Sequence, residues 1–165
     1  MQALMMNTQL MISSILKHAE KNFPDVEMVS VTVDSPRHRQ NYKTFAKRSR
    51  QLANVLESLG AKFGDRIGTL AWNDFRHMEL YYAVSGSGMV CHTINPRLFP
   101  EQVAYIINHA EDKILFVDVL VMPLLEALQA HLSKVEKIVI LTDKAHMPES
   151  TFPNILCYEE MLESQ

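Results

Sequence analysis

The chain has 165 residues, 47% of them hydrophobic and 21% charged, with a formal net charge of -3. That length supports one domain with a real core, and the composition excludes long disordered tracts. The slightly acidic balance excludes nucleic-acid binding through a basic surface.

In chain order, "MQALMMNTQLMISSILKH" has no basic leader and no small-residue cleavage site, so no secretory signal is expected. "LMISSILKHAEKNF" carries Leu10, Met11, Ile15, Leu16 and Ala19 at helical spacing, and Pro24 closes it. Val29, Val31 and Val33 then alternate with polar residues before Asp34-Ser35-Pro36, which predicts a hairpin returning over Gln40 to Lys43. From Thr44, a plausible N-cap, Phe45, Leu52, Val55, Leu56 and Leu59 make one face of a helix that Gly60 ends. "IGTLAW" is a short apolar strand, and Asn73-Asp74 can cap the next helix, whose face carries Phe75, Met78 and Tyr82.

Leu80 to Pro96 carries no charge, yet it holds His92, Asn95 and two glycines and is shorter than the ~20 predominantly apolar residues of a bilayer span. It reads as one helix plus the strand "MVCHTI". Pro100 suits the first position of a further helix striped by Val103, Ile106, Ile107 and Ala110. "KILFV" and "VEKIVILTD" are buried strands around the helix "MPLLEALQAHL", and a weaker strand, "NILCY", precedes a short helical end. The alternation predicts an α/β fold: a mainly parallel sheet with helices on both faces, plus an N-terminal β-hairpin.

The chemistry of a complete active site is missing. The five glycines form neither G-x-x-x-x-G-K-[ST] nor G-x-G-x-x-G, and "SGSG" follows a helix, the reverse of a phosphate loop. Asp118 ends a strand as a phosphoreceiver aspartate would, but helix capping explains it. The seven histidines have no metal-ligand spacing, so no metal site is expected; His77 and His92 come nearest a ligand edge. Asn73, His77, Asn95 and Arg97 are the candidates for that edge, since they sit at the carboxyl ends of parallel strands. Each also has a structural reading, as a cap, a packed imidazole or a turn. Cys91 and Cys157 lack metal spacing and are too few for a disulfide scaffold, which fits reduced thiols in a cytoplasmic protein.

"GDR", "AWN", "RHMELYYAVSGSGMVCHTINPRL" and "INHAEDK" together resemble the N-terminal region of the adenylate-forming acyl-CoA synthetases, nearest the medium-chain fatty acid–CoA ligase branch. The match is strongest over 41–118, and residues 1–165 are expected to be an N-terminal subdomain fragment, part of the large N-terminal domain of such an enzyme. The resemblance implies that the complete protein forms an acyl-adenylate from ATP and a fatty acid with Mg²⁺, then transfers the acyl group to CoA. The family's phosphate loop, ribose-binding Asp and C-terminal-domain Lys have no counterpart before Gln165. No catalytic, cofactor-binding or metal-binding residue is therefore assigned, and the fragment is expected to be inactive.

Its expected partner is the remainder of the synthetase chain. Uncovered apolar surface is expected to promote self-association into a homo-oligomer, and peripheral membrane contact stays open for the complete enzyme. One departure from the family pattern is Phe99, where relatives carry a Thr or Ser cap; losing that acceptor costs ~1 kcal/mol unless water or Glu101 serves the free N–H groups. A free-standing, non-catalytic α/β interaction module is the alternative reading.

Overall fold

The computed structural model describes every residue except 1–3, 5 and 154, so the first residues of the N-terminus read as leaderless and the start of "NILCY" lie outside the described residues. Among the described residues, six α-helices, α1 (Ile12–Asn22), α2 (Tyr42–Ser58), α3 (Phe75–Gly86), α4 (Pro100–Ala110), α5 (Met122–Ala127) and α6 (Tyr158–Glu163), accompany seven strands. β1 (Glu27–Ser30) and β2 (His38–Asn41) form the expected antiparallel hairpin. β3 (Arg66–Leu70), β4 (Val90–Thr93), β5 (Ile114–Val117), β6 (Lys137–Ile140) and β7 (Leu156–Cys157) form a parallel sheet in the order β4-β3-β5-β6-β7.

The central strands β5 and β6 are apolar on both faces, as a parallel sheet covered by helices on both sides requires. Every residue of β5 is buried: Ile114 and Phe116 point toward α2, α3 and α6, while Leu115 and Val117 point toward α4 and α5. Two cores result. Leu52, Leu56, Ile67, Leu80 and Tyr158 fill one side, and Val103, Ile107, Leu125 and Ile140 the other. Each fully buried side chain of this size contributes about 1.5–3 kcal/mol. Outside these layers, α1 rests on α2 and α3 and has no buried residue.

Several boundaries move for local reasons. The N-cap of α2 is Asn41, whose Oδ1 accepts from the Thr44 N–H at 2.9 Å, so β2 stops at Asn41 and Lys43 is helical. Asn41→Ala should cost about 1 kcal/mol in thermal or urea unfolding. "MPLLEALQAHL" does not run as one helix; it forms α5 and then a 3₁₀ turn, Gln129–His131, after another at Val119–Val121. The inward face of α3 is Arg76, His77, Glu79, Leu80 and Ala83, whereas Met78 is exposed. At Phe99 no side chain caps α4: the Gln102 and Val103 N–H groups turn back to the Phe99 carbonyl at 2.9 and 3.1 Å, and Gln102 Oε1 accepts from the Phe99 N–H at 3.2 Å.

Gly68 marks a close approach. A Cβ there would lie 2.4 Å from Leu115 Cδ2 and 3.1 Å from the Asp112 carboxylate. Leu115 and Asp112 are completely buried and have nowhere to retreat. Gly68→Ala should therefore lower stability by about 1–3 kcal/mol, read from the urea midpoint.

Candidate functional site

The structure gathers Asn73, His77, Asn95 and Arg97 around one hollow of about 400 Å³ at the carboxyl ends of β3 and β4. β3 delivers Trp72 and Asn73; β4 delivers Asn95 and Arg97. Pro96 stops the ladder at the edge, and Asn95 Oδ1 accepts from the Arg97 N–H at 3.0 Å, a tight side-chain turn. The Arg97 guanidinium lies 5.2 Å from the centre of the Trp72 ring, a cation–π contact, and no carboxylate pairs with it among the described residues. Asn73 is exposed at the rim.

His77 is at the hollow but its polar atoms are already engaged. Its Nδ1 lies 3.2 Å from the Trp72 carbonyl, which only accepts, so Nδ1 carries the proton. Nε2 then accepts from the Thr69 hydroxyl at 3.0 Å. Burial pushes the imidazole pKa down, which fits this neutral tautomer. What His77 offers the hollow is a ring stacked on Tyr81.

His92 turns elsewhere. Its Nδ1 meets Asp112 Oδ2 at 2.7 Å, beside the turn between α4 and β5. Asp112 is fully buried, its Oδ1 has no partner among the described residues, and burial pushes its carboxyl pKa up. Asp118 caps the 3₁₀ turn after β5 by accepting from the Leu120 N–H at 3.0 Å. Its pKa is raised by burial, with further push from Asp74 and Asp34. Burial also lifts the Cys91 thiol to about 11, so it stays a protonated, small apolar group.

The largest polar feature escaped the sequence reading. Glu79, fully buried, takes Arg48 Nε at 2.7 Å, Arg48 Nη2 at 3.1 Å and the Tyr158 hydroxyl at 2.7 Å. Arg76 bridges Glu159 at 2.7 Å and Asp34 at 2.9 Å, and also donates to the Leu141 carbonyl at 3.3 Å. The cluster ties the hairpin turn, α2, α3, α6 and the end of β6 together. The only early trace of it was charge at positions 76 and 79 within an otherwise apolar helix.

Among the described residues, one group of side chains comes near the arrangement a divalent cation would need. Asp34, Asp143 and His146 bring ligand atoms within 4.8 Å of one another, but both oxygens of Asp34 already receive Arg76 and the Thr32 and Thr142 hydroxyls. A divalent cation would have to displace a guanidinium. At the N-terminus of α3, Asp74 accepts from the His77 N–H at 3.0 Å.

A family profile described as "AMP-binding enzyme" matches residues 16–159. The chain belongs to the AMP-binding enzyme family. It is 44% identical over 160 residues to the 3-methylmercaptopropionyl-CoA ligase of Ruegeria lacuscaerulensis, covering 97% of this chain and 30% of that protein. It is 42% identical over 158 residues to the medium-chain-fatty-acid–CoA ligase of Ectopseudomonas oleovorans, covering 96% of this chain and 29% of the relative. Among solved structures, an anthranilate CoA ligase in complex with anthranoyl-AMP superposes with a TM-score of 0.76 at 20% identity, over 93% of this chain and 27% of that one. That likeness is one of fold. The chain thus spans about three tenths of the curated relatives it matches. The α/β architecture and the family expected from the sequence are both borne out.

Proposed function

We propose that these residues are the N-terminal subdomain, spanning 1–165, of an acid–thiol ligase that activates a fatty acid with ATP and Mg²⁺ and transfers the acyl group to CoA. The observation that carries this reading is the family match over 16–159 together with 42–44% identity to CoA ligases. This part supplies a supporting wall. The layered sheet holds the edge at Asn73, Asn95 and Arg97, while the groups that stabilise the transferring phosphoryl charge belong to the remainder of the synthetase chain. A free-standing interaction module is not favoured, because 96–97% of the chain aligns with ligases.

The purified chain should catalyse no fatty-acid-dependent ATP–pyrophosphate exchange, whereas a complete enzyme containing it should. Exchange by the chain alone would overturn the assignment of the missing parts. Within the complete enzyme, Arg97 is the group at the hollow free to meet an anion. Arg97→Ala should raise KM for an anionic substrate without moving the unfolding midpoint. An unchanged KM would remove Arg97 from the ligand edge.

A cytoplasmic protein with peripheral membrane contact suits a fatty-acid substrate, and no described helix is long and apolar enough to cross a membrane. Self-association has exposed apolar side chains to draw on, among them Phe99 and Tyr105. Sedimentation across concentrations tests it, and a monomer throughout would exclude it.

A further inference from the structure

Besides the Asp34 tie to Arg76 and Thr142, a ring stack holds the β1–β2 hairpin against the helices. The imidazole of His38, the first residue of β2, lies on the ring of Phe75, the first residue of α3. Their centres are 3.6 Å apart and their planes 11° from parallel. His38 Nε2 is buried and has no hydrogen-bond partner among the described residues. Gln40, two residues on and on the same face of the strand, is only 8% exposed, and neither polar atom of its amide has such a partner either.

Charge around the stack is mostly positive. The Arg76 guanidinium of α3 lies 4.7 Å, and that of Arg48 in α2 5.4 Å, from the centre of the same Phe75 ring. Glu159 of α6 is the carboxylate that acts on His38, and both arginines already hold it, at 2.7 and 3.0 Å. Neutral imidazole suits this place, because one of its nitrogens is bare and Nε2 can face inward without a hydrogen to satisfy. Imidazolium carries hydrogen on both nitrogens. It would bury a donor that, among the described residues, only the Gln40 amide is near enough to receive, and would set a third cation beside two guanidiniums. Burial, with the two arginines, accordingly pushes the His38 pKa below its ordinary 6.5, against the pull of Gln40 and Glu159.

We propose that the His38–Phe75 stack is an acid-release latch: protonation of the imidazole frees the hairpin from α2 and α3 while the parallel sheet stays folded. The open hairpin takes up the proton more readily than the closed one, so the latch holds fully above pH 6.5 and weakens as pH falls below that value. Asp34, the neighbouring tie, lets go only below 3.8, which leaves an interval for the latch to act alone. His77, a second imidazole whose pKa burial lowers, is bonded to Thr69 and the Trp72 carbonyl rather than to the hairpin.

Amide exchange of the 165-residue chain, corrected for the intrinsic rate at each pH, reads the latch. Between about pH 6.5 and about pH 5, protection through β1 and β2 should fall by up to about tenfold per pH unit, the dependence of a single proton, while β5 and β6 keep theirs. His38→Phe retains a ring for the stack and cannot titrate, so its hairpin protection should stay level across that interval. Imidazole resonances of the parent chain give a second reading that needs no variant: the His38 ring should titrate below 6.5. A His38 ring titrating at or above 6.5 would overturn the proposal. So would the same loss of hairpin protection in His38→Phe, or hairpin and sheet opening together. Failure here leaves the ligase reading standing, because none of these measurements involves nucleotide or substrate.

Discussion

Glu79→Ala should lower the free energy of unfolding by about 3–5 kcal/mol, the loss typical of breaking a buried ion pair on one side. The substitution removes a partner from two groups at once. Arg48 loses both hydrogen bonds to the carboxylate and keeps Glu159 at 3.0 Å, and the Tyr158 hydroxyl, on a completely buried residue, loses its acceptor. Glu79 itself has its pKa pushed up by burial, against the pull of Arg48 and Tyr158, so the guanidinium is what keeps the carboxylate tolerable in the core. Glu79→Gln keeps an acceptor for Tyr158 and should recover part of the loss. Replacing both partners, as Arg48→Met with Glu79→Leu, should recover more, because it removes the two desolvated charges together. Urea midpoints of the four proteins provide the measurement. A Glu79→Ala midpoint equal to the parent's would mean the pair contributes nothing.

Arg76→Ala should be comparably severe, about 3–5 kcal/mol, and should act first on the hairpin. Arg76 is the link between Asp34 in the β1–β2 turn and Glu159 in α6, and its guanidinium also lies 4.7 Å from the Phe75 ring centre. Amide exchange should quicken through β1 and β2 before the parallel sheet is affected. The same link sets a pH dependence. Burial alone would raise the Asp34 pKa, but Arg76, with Thr32 and Thr142, holds it well below the ordinary value of 3.8. A lowered folded-state pKa stabilises the fold above 3.8, and the contribution disappears as pH falls below that value toward the folded one. Asp34→Asn should therefore flatten the acid limb of the stability curve while leaving its shape above about pH 5 alone. Equal acid limbs in the two proteins would rule Asp34 out as the source of that limb.

The main elements were legible because their signals are local. Continuous apolar runs in "KILFV" and "VEKIVILTD" specify buried parallel strands, and Pro100 and Gly60 punctuate helices wherever they fold. A boundary slipped where more than one residue could serve as the cap: Asn41 took the place expected of Thr44. The four edge candidates were found from strand-end logic alone, and they do converge on one hollow. Their roles were harder to read. Whether an imidazole faces a ligand or a threonine depends on atoms several residues away, as His77 and Thr69 show.

Family, layer order and strand ends could all be read from the residues in order, because residue type at short range encodes them. Which charges are buried, and which apolar groups are left outside, was settled by how the layers pack. Arg48 meets Glu159 and Arg76 meets Asp34 across long stretches of chain, and no periodicity records such a pairing. The outward turn of Ile12 and Ile15 likewise follows from how α1 lies on α2 and α3, not from its own pattern, because an amphipathic stripe states that a face is apolar and not which way it points.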